Sequence, residues 1–231
     1  MGLNLYAKVE SYLDFEEEVR QLHKAFLGLL YERQPQSVID IGCGQGAFLQ
    51  HLQTNGVKAF GIDLSSEQIK VCQAKGLAAQ CLSLEEVSQT FDCATAIFDV
   101  INYIPKQHLK IFFEQSYLVL NQGGTFVFDV NSLFGFQEVA QGSLNINLDD
   151  KFIAIDALFE QNILRTDITL FSLQKSGLYS KEQDFIEQYY HTTKELKTLL
   201  ESVGFAVESV VNFNLHGYEE SDKLIFVCKK S

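Results

Sequence analysis

Ser37-Val-Ile-Asp-Ile-Gly-Cys-Gly-Gln-Gly46 decides the reading of this chain. A short apolar run enters glycines at alternate positions, and Ala47-Phe-Leu-Gln-His-Leu52 continues with helical spacing. The stretch therefore predicts a strand, a tight glycine loop and a helix. Gly42, Gly44 and Gly46 remove side chains where the backbone turns sharply and where a ligand must approach the main chain. Loops of this kind bind nucleotides at the carboxyl edge of a first strand. Asp63 ends the next apolar run, 23 positions after Asp40, where an acid accepts hydrogen bonds from ribose hydroxyls.

Outward from this loop, short apolar runs alternate with helical stretches. Strands are expected at Ser37–Ile41, Lys58–Ile62, Ala78–Leu82, Phe91–Ile97 and Thr125–Val130. Helices are expected between them at Ala47–Asn55, Ser66–Lys75 and Lys106–Leu120. Ser65 is a helix N-cap candidate, with Ser66 as the alternative. Asn55-Gly56, Lys75-Gly76 and Gln122-Gly123-Gly124 carry the glycines that end helices. Strands alternating with helices imply a parallel sheet covered on both faces. Before the first strand, Leu13, Val19, Leu22, Phe26, Leu29 and Leu30 predict one helix over 10–34, stopped by Pro35.

The pattern changes near residue 131. Phe152–Asp156, Thr166–Leu173 and Phe185–Tyr190 read as strands, with turns at Gln161-Asn162 and Ser176-Gly177. This predicts an antiparallel insertion of about three strands. Helical periodicity returns at Thr193–Val203 and closes at Gly204. Phe205–Phe213 and Leu224–Lys229 follow without room for a helix between them, so they are expected to pair antiparallel. The organisation expected is a single domain over 1–231: a helical segment 1–35, a core 36–131, a β cap of about 132–191 and a C-terminal helix and strand pair 192–231.

Composition bounds the function. The chain has 231 residues, 46% hydrophobic, and a formal net charge of −12. An acidic surface repels phosphates and anionic lipids, so neither a nucleic acid nor a membrane is expected as partner. No run approaches the length of a membrane span. Five cysteines, none in a C-x-x-C pair, fit a reducing cytoplasm. No metal is expected; His108 and His216 lie far apart in sequence and lack ligand-like neighbours.

Gly42, Gly44 and Ala47 also satisfy the glycine pattern of NAD enzymes. Asp40, two residues before the first glycine, suits a cationic ligand and is a poor neighbour for a pyrophosphate. The chain also ends in a helix and close strand pair rather than a second parallel half, and has no second domain for a hydride donor's substrate.

On these residues the chain resembles the class I, Rossmann-like S-adenosylmethionine-dependent methyltransferases. Val38–Gly46 resembles their first motif, Gly61-Ile-Asp-Leu-Ser65 the acidic second, and Phe91–Tyr103 the fourth. Leu118–Asn131, with its double glycine, resembles the fifth-strand motif, and His191–Phe205 the late helix. The match covers roughly residues 35–130 and 191–230. It implies a seven-stranded sheet with helices on both faces and an antiparallel β insertion, with S-adenosyl-L-methionine as cofactor.

The resemblance also implies roles. Asp40 and the loop of Gly42, Cys43, Gly44 and Gly46 hold the methionine part, with Cys43 itself a packing residue. Asp63 takes the ribose and Leu64 packs on the adenine. The third motif usually carries an acid for the adenine amino group; Ser83 stands there instead, followed by Leu84. Ser83 reads equally as an adenine contact or a helix N-cap. Phe98 and Asp99 line the floor where methyl and acceptor meet. Asp92, which opens the fourth strand, reads as structural.

Asp99, Asn102, Tyr103 and Tyr190 are the catalytic candidates, with Asp129, Asn131, Tyr189 and His191 as further acceptor-site residues. Tyr189 and Tyr190 alternate on a strand, so one of them faces the pocket. Tyr6 and Tyr12 read as a lid or as packing. The reaction expected is methyl transfer to nitrogen or oxygen of a small molecule, with nitrogen slightly ahead by analogy, in a monomer or homodimer. The other classes are an NAD(P)-dependent oxidoreductase and a non-catalytic ligand-binding relative of the fold.

Overall fold

The computed structural model describes residues 2–231. Met1, the first residue of the expected helical segment, lies outside them. That segment holds two helices, α1 (Leu3–Val9) and α2 (Glu16–Arg33), rather than one over 10–34. They are separated by a 3-10 turn at Glu10–Tyr12 and by Asp14, whose φ of 54° breaks helical geometry. Glu16, Glu17 and Glu18 then sit in the first turn of α2, where negative charge suits the helix dipole. Gln34 turns left-handed before Pro35 and ends α2.

The core then alternates: β1 (Ser37–Ile41), α3 (Ala47–Thr54), β2 (Lys58–Asp63), α4 (Ser66–Ala74), β3 (Ala79–Cys81), β4 (Phe91–Ala96), α5 (Lys106–Leu118) and β5 (Leu120–Asn131). β5 begins earlier than expected and α5 ends earlier. The register with β4 jumps from Phe91↔Leu120 to Cys93↔Thr125, so Asn121–Gly124 bulge out instead of ending the helix. Next come four strands, β6 (Gly142–Asn147), β7 (Lys151–Glu160), β8 (Ile163–Leu173) and β9 (Tyr179–Tyr189). α6 (Thr193–Val203), β10 (Phe205–Phe213) and β11 (Lys223–Lys230) close the chain.

The first sheet has seven strands in the order β10-β11-β5-β4-β1-β2-β3. β5 through β3 run parallel, while β11 and β10 add antiparallel at one edge. Its central strands are buried on both faces and therefore apolar nearly throughout. Phe126, Phe128 and Phe226 pack on one face with Phe113 of α5 and Leu196 and Leu200 of α6. Val38, Val127 and Ile225 pack on the other with Leu22 and Phe26 of α2 and Phe48 of α3. Asp129 and Asn131 share the face of Val127 by strand alternation, so they point to the α2 side.

The insertion is a separate antiparallel sheet of four strands, β6-β7-β8-β9, one more than expected. The extra strand, Gly-Ser-Leu-Asn-Ile-Asn, is an exposed edge whose apolar alternation is confined to Leu144 and Ile146. The Gln161-Asn162 turn is present, with φ of 51° and 65°. Ile153, Ile168 and Leu170 on its inner face bury Leu5 and Val9 of α1. α1 thus links the cap to the core, and the amide of Gly2 donates to the carbonyl of Phe185 at 2.9 Å. Among the described residues no helix is long and apolar enough to cross a membrane.

Candidate functional site

The loop after β1 hooks over the end of β2: the amides of Gly42 and Cys43 both donate to Ile62 O, at 2.8 and 3.0 Å. Its glycines do different work. A Cβ on Gly46, at φ 79°, would meet Leu77 Cδ1 at 2.4 Å, so this glycine lets α3 and α4 close. A Cβ on Gly44, at φ 52°, would meet nothing within 4 Å, so this stretch of backbone borders open space.

Two carboxylates flank that space. Asp63 accepts from Gly44 N at 3.0 Å and from Ser65 N at 2.7 Å. Burial raises its pKa, and these amides partly offset the rise. Asp40 is 3% exposed, and its side chain accepts from Thr95 Oγ1 at 2.7 Å. Burial pushes Asp40 up to about 7, against the pull of the Thr95 hydroxyl. Beside Asp63, Leu64 holds an apolar side chain 67% exposed. A buried acid with a neutral partner, a second acid, an open glycine surface and an unpacked leucine suit a ligand bearing a cation, a ribose and a flat apolar ring.

Four further positions do structural work. Ser83 forms a capping box: its amide and hydroxyl donate to Glu86 Oε2 at 2.8 and 2.7 Å. Leu84 is buried in the core. Cys43 packs with Leu49, Ile69 and Cys72, and the thiol of Cys72 donates to Gly44 O at 3.1 Å. Asp92 accepts from Ser37 N, Gln36 N and Asn121 Nδ2, tying the starts of three strands together.

At the exit of β4, Phe98 and Asp99 both adopt left-handed φ, 62° and 64°. Their amides point at one carboxylate, donating to Asp129 at 2.8 and 3.3 Å. Lys223, at the start of β11, pairs with Asp129 at 2.9 Å and with Asp99. Burial opposes the charge on Lys223, but the two carboxylates outweigh it and hold the ammonium above its ordinary pKa. Burial raises Asp129, and Lys223 acts against that rise.

The acceptor candidates separate into two groups. Tyr103 lies near Tyr6, Asp99, Glu10 and Asp63; burial and then these groups raise its pKa, as burial, Glu10 and Asp99 raise Tyr6. α1 therefore brings Tyr6 to the β4 exit. It is held there by Asn4, which accepts from Ser65 Oγ at 2.7 Å, and by Glu10, which accepts from Gln68 Nε2 at 2.8 Å. Tyr12 is elsewhere, its ring 5.7 Å from Lys151 Nζ at the cap. Asn102 is fully buried and its amide is spent on the backbone: Nδ2 donates to Tyr189 O and Oδ1 accepts from Asn131 N, each at 2.9 Å. Both polar atoms of the side chain thus brace the cap and β5 against the β4 exit. His191 is buried with Nε2 3.0 Å from Ile104 O, a packing position. The Tyr189 hydroxyl donates to Glu187, while Tyr190 stands edge-on to Phe136 at 6.1 Å.

A family model described as a methyltransferase domain matches residues 11–210. The chain belongs to that methyltransferase family. A putative methyltransferase of Geobacillus sp. (strain WCH70) is 26% identical over 216 residues, 87% of each chain. The fold is shared with an S-adenosylmethionine-dependent methyltransferase from Clostridium acetobutylicum ATCC 824, at TM-score 0.79 and 20% identity, covering 98% of this chain and 99% of that one. It is also shared with CalS10, an amino pentose methyltransferase from Micromonospora echinaspora solved with the cofactor bound, at TM-score 0.70 and 15% identity, covering 94% and 92%. The fold is the Rossmann-like one of the S-adenosylmethionine-dependent methyltransferases, as the sequence motifs imply.

The sequence did not foresee the surroundings of several further groups. Lys223 opens an apolar strand, where a lysine ordinarily marks an exposed end, and nothing local signals its burial. Glu10 sits in an acidic N-terminal segment with no motif. His23 is buried against Phe48 and Phe98, at 5.1 and 6.0 Å between rings, and burial followed by His51 lowers its pKa to about 4. His216 does have an acidic neighbour: its Nδ1 meets the buried Asp222.

Proposed function

We propose that the methyltransferase acts on a nitrogen or oxygen of a small molecule held between the β4 exit and α1. The observation that carries this reading is geometric: the turn Val100–Tyr103 after Asp99 is tied to the end of the cap through Asn102 Nδ2 and Tyr189 O, and α1 packs Tyr6 against the cap beside α4. Asp40 and the main chain of Gly42, Cys43, Gly44 and Gly46 would hold the amino-acid end of the cofactor, and Asp63 its ribose. Leu64 would cover one face of the adenine, with Leu84 N and Ser83 at its edge, and Phe98 would close the floor. S-adenosylmethionine, when bound, supplies a methyl group already activated by its sulfonium.

What remains for this chain is alignment and dryness. α1 and the cap keep water from the β4 exit. Tyr6 and Tyr103, held neutral, offer hydroxyls that donate to or accept from an acceptor, and the Asp99 carboxylate offers an acceptor for its N–H or O–H. The net charge of −12 favours a small molecule over a polynucleotide. CalS10, which shares the fold, is an amino pentose methyltransferase, and this supports a small acceptor here, with nitrogen slightly ahead.

The test is release of S-adenosylhomocysteine from S-adenosylmethionine with a cell extract divided by ultrafiltration. Release is expected with the filtrate of small molecules. Release with only the macromolecular retentate would overturn the reading.

A further inference from the structure

Lys223 is 3% exposed. An ammonium has three donors, and all are used: they go to Asp99 Oδ1, to Asp129 Oδ2 at 2.9 Å and to Asn131 Oδ1 at 3.2 Å. Asp129 is wholly buried and also accepts the amides of Phe98 and Asp99. Two successive left-handed residues aim their amides at one anion, an arrangement that binds negative charge well. Phe98 disfavours that conformation and Asp99 only tolerates it, so the turn persists because its surroundings over-determine it. Asp99 and Asp129 would repel each other without the ammonium between them. Taking that ammonium away would leave Asp129 a buried, uncompensated charge, which gains a proton and weakens as acceptor for both amides.

We propose that Lys223 is a positioning residue for methyl transfer: through Asp129 it fixes the Phe98–Asp99 turn, and directly it fixes the orientation of the Asp99 carboxylate. This rests on the reading that the methyl acceptor lies against the β4 exit. Lys223 is on β11, with β5 and β4 between it and β1, so the contacts of Asp40, Gly44 and Asp63 stay in place and the effect falls on acceptor geometry. A misplacement on the order of 1 Å at such a turn lowers turnover about 100-fold.

The test uses the whole protein with Lys223→Met, and the pair Asp129→Asn with Lys223→Met, which removes both charges and guards against failure to fold. The probes are S-adenosylhomocysteine binding by calorimetry and its release from S-adenosylmethionine across dilutions of the small-molecule filtrate. The maximal rate is expected to fall about 100-fold while S-adenosylhomocysteine affinity stays within about threefold. Asp99→Asn is expected to lose as much alone as together with Lys223→Met, since both act through one carboxylate. A folded variant with the wild-type maximal rate, affinity lost in proportion to rate, or additive losses would each overturn the proposal. If the wild type releases nothing from the filtrate, the small-molecule reading fails instead. Hydrogen exchange on the complex with S-adenosylhomocysteine then decides: the amides of Phe98 and Asp99 should exchange at least about tenfold faster in the variants, with those of β1 unchanged. Unchanged exchange at Phe98 and Asp99 overturns it.

Discussion

The amide of Gly44 donates to the carboxylate of Asp63 at 3.0 Å, which makes the loop after β1 and the acid that ends β2 one unit. Asp63 therefore shapes the backbone that borders the open space at Gly44. Asp63→Ala should weaken S-adenosylhomocysteine binding by about 100-fold or more, roughly 2.7 kcal/mol, because hydroxyls lose a charged acceptor. The unliganded protein should also lose about 1–2 kcal/mol in urea unfolding, since Gly44 N and Ser65 N lose their acceptor. Unchanged affinity would move the ribose elsewhere.

Asp40 makes both stability and binding depend on pH. Burial raises it to about 7 in the folded protein. The folded state thus holds a proton that the unfolded chain has released above about pH 4. Stability therefore falls as pH rises from about 4 to about 7, by on the order of 4 kcal/mol for a raise of this size. Asp40→Asn keeps an acceptor for Thr95 and removes the charge, so the unliganded variant should melt higher than wild type at pH 8 and lose that slope. A ligand ammonium favours the ionised carboxylate, so wild-type S-adenosylhomocysteine binding should release protons near pH 6 and weaken below about pH 7. Calorimetry in buffers of different ionisation enthalpy measures the release. Equal proton release by wild type and Asp40→Asn would assign the titration to another group.

The parts that the sequence revealed are those with a local cause. The glycine spacing at Gly42–Gly46, the acid at Asp63 and the alternation of strands and helices marked the seven-stranded sheet and the loop on it. Asp92 read as structural because it opens a strand, and it joins three strand starts. What escaped depended on distant pairing. Lys223 meets Asp99 across 124 positions, and Asn102 meets Tyr189 across 87. The edge strand Gly142–Asn147 escaped for another reason: it buries little, and its alternation covers only Leu144 and Ile146, too short a run to stand out. Asp14 broke the first helix by backbone conformation alone, inside an otherwise regular apolar period.

The two loop glycines Gly44 and Gly46 should respond differently to alanine. At Gly46 the new methyl would meet Leu77 Cδ1 at 2.4 Å and Cys72 Sγ at 2.9 Å, so Gly46→Ala should destabilise the unliganded fold by about 2–3 kcal/mol. At Gly44 the methyl meets no atom, so the loss should be near 1 kcal/mol from its positive φ alone. That methyl would occupy the space a ligand needs, and Gly44→Ala should weaken S-adenosylhomocysteine at least about tenfold. Denaturant melts and calorimetry on both variants check the contrast. Equal stability losses with no effect on affinity at Gly44 would remove the loop surface from the binding site.

Asn102 joins three pieces that meet at the β4 exit. Its Nδ2 reaches the Tyr189 carbonyl at the end of the cap, and its Oδ1 takes the amide of Asn131 at the end of β5. The side chain is fully buried, so neither backbone group has water as a substitute. Asn102→Ala should lower unfolding stability by about 2–4 kcal/mol, from two unsatisfied buried groups and a small cavity. Asn102→Asp keeps the volume and the acceptor but replaces the donor with a charge that burial opposes, so it should be destabilised more at pH 8 than at pH 5. If Asn102 instead bound the methyl acceptor, Asn102→Ala would fold with wild-type stability and lose turnover alone. Thermal unfolding of the two variants at both pH values distinguishes the brace from the contact.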